Sequence, residues 1–143
     1  MTDLVLETFR LNGAMLDAGN RITKPQGLTS ARWQVMGAID LAGQPRTVAQ
    51  IARRMGLARQ GVQRIVNDLE GLGMVVLEDN FDHKRAPLVS ISEEGIQAMA
   101  AIDNAQIAWV NKLSEGLGER QFKEALKVLR AVRERSEQLE STQ

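Results

Sequence analysis

Cysteine is absent from this chain of 143 residues, which excludes a disulfide framework, a thiolate metal site and a cysteine-based redox switch. A chain without thiols suits a reducing compartment, so the cytoplasm is the expected location. No apolar run approaches the roughly 20 residues needed to cross a bilayer, and Asp3 stands where a secretory signal would carry a basic stretch. Neither export nor a membrane partner is expected. Histidine occurs only at His83, and neither a glycine-rich phosphate loop nor a metal-ligand spacing is present, so the chain is expected to be no enzyme and to need no cofactor or metal. Net charge is lacking as well, because 18 basic and 18 acidic residues cancel. A uniformly basic nucleic-acid binder is thereby excluded, but a local basic face is not.

What is present is the composition of an ordinary globular domain, 43% hydrophobic and 25% charged, with enough residues to bury one core. Apolar residues recur at helical spacing at both ends, through Leu4, Phe9, Leu11 and Met15 at the front and Phe122, Leu126, Leu129 and Val132 at the back. Lys24-Pro25-Gln26-Gly27 breaks the first helix, and a second begins after an N-cap at Thr29 or Ser30 and ends near Ala42-Gly43-Gln44-Pro45. Thr47 is placed to cap a short helix over Val48–Met55, Gly56 breaks it, and a longer helix follows from about Ala58 to Leu72. Met74–Leu77 and Leu88–Ile91 then read as a β-hairpin around a long charged loop, and Ser92-Glu93-Glu94-Gly95 opens a further helix. The expected class is mainly α with a small β-hairpin wing.

A helix-turn-helix needs a small residue where its helices touch, a glycine in the turn and apolar residues facing the core. Ala52 and Gly56 meet the first two needs, and Ile51, Met55, Leu57, Val62 and Ile65 are read as inward. An αα-hairpin that packs only for stability shares this spacing. The polar set separates the two readings: if Val62, Ile65 and Leu69 face inward, Arg59, Gln60, Gln63, Arg64 and Asn67 lie on the outer surface or its flanks. Arg can bond guanine, Gln and Asn the adenine edge, and Gly61 lets a backbone approach the duplex. Thr47, Arg53 and Arg54 are candidates for phosphate contacts, which set register without conveying sequence. Asp82, His83, Lys84 and Arg85 sit at the hairpin tip, where long cations can enter a minor groove; an ordinary solvated turn would look alike.

Thr47-Val48-Ala49-Gln50-Ile51-Ala52, Gly56-Leu57, Val62-Gln63-Arg64, the run Asp79 to Leu88 and Ser92-Glu93-Glu94-Gly95 together resemble the MarR family of winged helix-turn-helix transcriptional regulators, over nearly the whole chain. The resemblance implies that Asp82 braces the wing and that Arg85 is the minor-groove arginine, with Lys84 beside it. Phe81 and Ser92 depart from the family pattern, where Pro and Thr are common. It also implies a single domain over 1–143: a DNA-binding lobe over about 29–92, and dimerisation helices over about 1–24 and 96–141 that interlock two subunits. Two recognition helices would then lie roughly 34 Å apart, so the expected partner is palindromic double-stranded DNA bound by a homodimeric repressor.

Family members commonly release DNA when a small aromatic or anionic effector binds between dimerisation helices and DNA-binding lobe. Phe9, Arg10, Arg32, Trp33 and Met36 are candidates to line such a crevice, against the plainer reading that Trp33 and Met36 are core and the arginines solvated. Asp79, Asp82 and His83 can be drawn as a metal site, but a charged loop more commonly meets solvent or DNA. The competing function is a winged-helix module that binds a protein rather than DNA, with Arg59 and Arg64 as ion-pair anchors.

Overall fold

The computed structural model describes residues 1–140, so Ser141, the last position assigned to the terminal dimerisation helix, lies outside the described residues. The elements are α1 (Thr2–Thr23), a single 3-10 turn (Lys24–Gln26), α2 (Ser30–Asp40), β1 (Arg46–Thr47), α3 (Val48–Met55), α4 (Arg59–Gly71), β2 (Val75–Glu78), β3 (Leu88–Ile91), α5 (Glu93–Ser114) and α6 (Glu119–Glu140). The chain divides after Gln106 into two compact units. No helix among the described residues is long and apolar enough to cross a membrane.

In the first unit, local signals set the helix ends. The Thr29 hydroxyl accepts the Arg32 N–H at 3.3 Å and caps α2. Thr47 and Gln50 form a reciprocal capping box at α3, with the Gln50 N–H on the Thr47 hydroxyl at 3.3 Å and the Thr47 N–H on the Gln50 side chain at 2.9 Å. Gly56 ends α3 with φ 64°, a left-handed conformation that only glycine adopts without strain. The corner between α1 and α2 is built from small polar groups: the Ser30 N–H donates to Asn20 Oδ1 at 2.8 Å, and the buried Thr23 hydroxyl lies 2.9 Å from the Gly19 carbonyl oxygen.

Helices α2, α3, α4 and the start of α5 enclose one core with the sheet. Val35, Met36, Ile51, Val62, Val66, Leu69, Val75, Val89 and Ile102 are at most 2% exposed. The sheet has three antiparallel strands in the order β1-β3-β2, with Arg46 opposite Val89 and Val75 opposite Ile91. The hairpin expected from sequence is therefore joined by a third, two-residue strand that pairs with β3 and leads directly into α3. Leu57 departs from expectation too: one residue past the left-handed Gly56 it points outward and is 48% exposed, while Val66 takes the inward place.

The start of α5 is pinned against the entry to the wing. The Ser92 hydroxyl accepts the Gly95 N–H at 3.0 Å and donates to the Gly73 carbonyl at 2.5 Å, and the Ser92 N–H donates to the Met74 carbonyl at 3.1 Å. Ser92 thus works both as a helix cap and as a tie to the turn after α4. A Cβ on Gly95 would lie 2.2 Å from the Met74 carbonyl oxygen and 2.6 Å from Ile91 Cγ2, so the helix approaches this closely only because the residue is glycine.

In the second unit, Gly116 turns the chain with φ 78°, and every described side chain from Glu119 to Leu139 is exposed except the half-buried Ala131 and Val132. The exposed set includes Phe122, Leu126 and Leu129. In the first unit α1 likewise leaves Val5, Phe9 and Leu11 exposed.

Gly95→Ala is expected to destabilise the protein by about 1–3 kcal/mol, because overpacking against backbone outweighs the gain in helix propensity. The urea midpoint measures it, and an unchanged or raised midpoint would show that the contact is dispensable.

Candidate nucleic-acid interface

Three side chains that are 0% exposed, Val62, Val66 and Leu69, hold α4 against the core and so determine which residues face out. Arg59, Gln60, Arg64 and Asn67 are exposed, and Gln63 is half-buried at the edge of the inward stripe. Gln63 Nε2 donates to Asn67 Oδ1 at 2.9 Å along the outer face. At the back of the helix, Arg32 of α2 forms an ion pair with Asp68 at 3.0 Å. Gly61 sits in the first turn of α4 with no atom within 4 Å of the position its Cβ would take, so no packing within the chain requires glycine there. The N-cap, Ala58, supplies no side-chain acceptor, unlike Thr29 and Thr47, which leaves the first N–H groups of α4 without a side-chain partner.

The wing loop folds around Asn80. Its Oδ1 accepts the backbone N–H groups of Asp82 at 3.1 Å and His83 at 3.3 Å, and its Nδ2 donates to the Ala86 carbonyl at 2.8 Å. The bracing assigned from sequence to Asp82 is thus supplied by its neighbour but one, and the Asp82 carboxylate accepts no hydrogen bond from any described residue. Asn at the head of a turn, bonding backbone two and three residues on, is a recognisable signal, but the third bond, to Ala86, depends on the loop closing. On the strands, the Ser90 hydroxyl donates to Glu78 and ties the base of the wing.

The fold brings the two predicted parts together. Arg59 at the start of α4 and Asp82, His83, Lys84 and Arg85 of the wing line one open cleft of about 500 Å³, three permanent cations against a single carboxylate. Of the three phosphate candidates, Arg53 is exposed in the last turn of α3, and Thr47 is half-buried with its oxygen engaged in the capping box and its proton still free to donate. Arg54 lies elsewhere: with Trp33, Gly37, Met55, Met99 and Asp103 it lines a second cavity of about 550 Å³ between α2, the end of α3 and α5.

Of the five crevice candidates named from the sequence, only Trp33 lines this cavity. Met36 is 0% exposed and belongs to the core. Arg32 turns towards Asp68, and Phe9 and Arg10 stand exposed on α1, Arg10 facing Glu7 at 3.7 Å. Trp33, one helical turn before Met36, packs against the edge of the same core and is only half-buried. Among the described residues no group of three or more His, Cys, Asp or Glu is placed to hold a metal ion.

The sequence profile of the MarR family matches residues 26–86, which takes in α2 to the wing tip. An uncharacterized protein of Mycobacterium tuberculosis is 37% identical over 114 residues, 80% of this chain and 78% of that protein. The chain belongs to the MarR family. Membership places it among transcriptional regulators, and the winged helix fold agrees. Among solved structures, this MarR-family chain is similar to a mutant MarR from E. coli complexed with operator DNA, with a TM-score of 0.82, 18% identity, and coverage of 91% of this chain and 93% of that one. It is also similar to an organohalide-sensing transcriptional regulator in its 2,4-dichlorophenol-bound form, with a TM-score of 0.82, 18% identity, and coverage of 92% and 78%. At these identities the likeness is one of fold.

Two substitutions separate the stability of this surface from its use. Gly61→Ala is expected to raise the urea midpoint, by up to about 1 kcal/mol of helix propensity, while weakening duplex binding; equal binding would mean that no backbone approaches DNA there. Asn80→Ala is expected to speed amide hydrogen exchange at Asp82 and His83 without moving the global midpoint, since the loop is exposed. Unchanged exchange would remove Asn80 as the brace.

Proposed function

We propose that this protein is a sequence-specific DNA-binding repressor that acts in the cytoplasm as a homodimer on a palindromic operator. The reading rests above all on the cleft in which Arg59 of α4 meets Lys84 and Arg85 of the wing, a gathering of cations beside a recognition helix in a chain whose net charge is zero. Arg59, Gln60, Gln63, Arg64 and Asn67 read the major groove, Lys84 and Arg85 enter the minor groove, and Thr47 and Arg53 contact phosphate. The uncapped start of α4 supports a nearby phosphate, because its free N–H groups and helix dipole favour an anion.

Dimerisation is supported by the exposed apolar residues of α1 and α6, such as Phe9, Leu11, Phe122 and Leu126, which water disfavours on this scale. Repression follows from occupying promoter DNA. The cavity beside Trp33 is the candidate effector site, with aromatic and thioether walls suited to a small aromatic ligand. The 2,4-dichlorophenol-bound relative is consistent with that class.

Selection from a random duplex pool at low and physiological salt tests the DNA reading. The wild-type protein is expected to enrich a palindrome with steep salt dependence, Arg59→Ala to relax one base preference, and Arg85→Ala to weaken binding while lowering the salt slope by about one. No salt-sensitive binding would favour a protein-interaction module instead. For the effector, Gly37 offers a separate test, since it lines the cavity with open space where a Cβ would stand. Gly37→Ala is expected to leave DNA affinity intact and to blunt release by a panel of substituted phenols and benzoates; a response equal to wild type would place the effector elsewhere.

A further inference from the structure

We infer that the cavity beside Trp33 takes a small aromatic ligand that bears one positive charge, such as an arylmethylammonium ion. This rests on the effector reading above and adds the sign of the charge that the ligand carries.

The cavity measures about 550 Å³, room for roughly one or two rings. Trp33 and Met99 supply apolar wall, and the charged side chains that line it are Asp40, Asp103 and Arg54. Two carboxylates thus face one guanidinium. None of the three forms an ion pair or a side-chain hydrogen bond with another described residue, so the excess negative charge is not neutralised from within the described chain. Helix ends add to that excess. Both α2, which ends at Asp40, and α3, which ends at Met55, finish at the cavity, and carbonyls left without a partner give a helix C-terminus partial negative charge. Arg53 and Arg54 in the last turn of α3 offset its own end, but the last turn of α2 has no basic residue and carries Asp40 instead.

A cation meets this field favourably and an anion meets it against the gradient. An ammonium group gains from the carboxylates and from the end of α2, while the ring that carries it packs on Trp33, whose indole face attracts a cation as well. A carboxylate of the same size gains only from Arg54 and brings its charge towards two like charges. The three charged side chains are exposed, so each contribution is modest and screened by salt, and their sum sets a preference between ligands of equal shape. The resemblance implies an aromatic or an anionic effector; the charges of this chain keep the first property and reverse the second.

The test is calorimetric titration of the full chain with naphthylmethylamine, naphthylmethanol and naphthoate, which share a ring system and differ in charge. The amine is expected to bind about tenfold tighter than the carboxylate, with the alcohol between them, and the gap should narrow at high salt. Asp40→Asn combined with Asp103→Asn should bring amine and carboxylate within about threefold, and Arg54→Gln should widen the gap, with thermal melts confirming that the variants fold. The inference is overturned if the carboxylate binds as tightly as the amine, if the double variant keeps the full gap, or if Arg54→Gln narrows it. Should Gly37→Ala still weaken all three ligands in those cases, the cavity stands as the effector site and only the charge assignment fails. If none of the three binds, or Gly37→Ala changes no affinity, the effector reading falls and the inference with it.

Discussion

The rotation of α4 about its own axis governs what the molecule can present to a partner, and the hydrophobic effect alone sets it. Val62, Val66 and Leu69 are 0% exposed, and each side chain of this kind is worth about 1.5–3 kcal/mol when fully buried. Turning the helix by a single residue, about 100°, would unseat all three. The loss would rival the whole stability of a typical domain, about 5–15 kcal/mol. The ion pair from Arg32 to Asp68 cannot compete: with side chains 27% and 49% exposed it contributes at most about 1 kcal/mol. Core packing therefore aims Arg59, Gln60, Gln63 and Arg64, and the surface electrostatics follow from it.

The same core extends to the wing. Val75 and Val89 place the base of β2 and β3 under α4, and Gly95 admits α5 to within backbone contact of the turn that starts the hairpin. Beyond that base the loop has almost no apolar anchor, and Phe81 is 94% exposed. Its shape comes from polar bonds to Asn80. The surface thus joins a helix fixed by packing to a loop fixed by a few exposed hydrogen bonds, and the loop belongs to the low-stability end of the structure. Ordering a wing on DNA costs conformational entropy, and a loop already braced from within loses less on binding.

How much of this was legible depended on whether the determinant was local. The N-cap at Thr47 and the helix breaks at Gly56 and at Lys24–Gly27 are fixed by neighbours in sequence and are legible there, whereas the reciprocal bond from Gln50 comes from the structure. β1 was not, because two residues make a strand only when β3 arrives beside them from forty residues on. Leu57 was misread for a related reason: helical periodicity was carried across a residue whose φ of 64° redirects the chain. The outward residues of α4 followed from the position of its inward stripe, yet the hydrogen bond between Gln63 and Asn67 needed side-chain conformations. Of the crevice candidates only Trp33 lines the cavity beside α2, and Met36 lies in the core, since a cavity is a property of how separate elements meet.

The meeting of α2 and α4 also constrains how a ligand could influence DNA. Trp33 and Gly37 of α2 line the cavity, and Arg32, adjacent to Trp33, bonds Asp68, adjacent to Asn67 on the reading helix. The side-chain route is short but weak, because an exposed ion pair carries less than the 1–3 kcal/mol of a typical allosteric coupling. Val35 and Ile39, on the same helix, are packed with Val62 and Val66 in a core as dense as a crystal. Close packing transmits displacement but does not absorb it. A ligand that shifts α2 must therefore carry α4 with it, and coupling between cavity and reading face would pass through these valines and Ile39, with Arg32 and Asp68 only keeping the two helices in register.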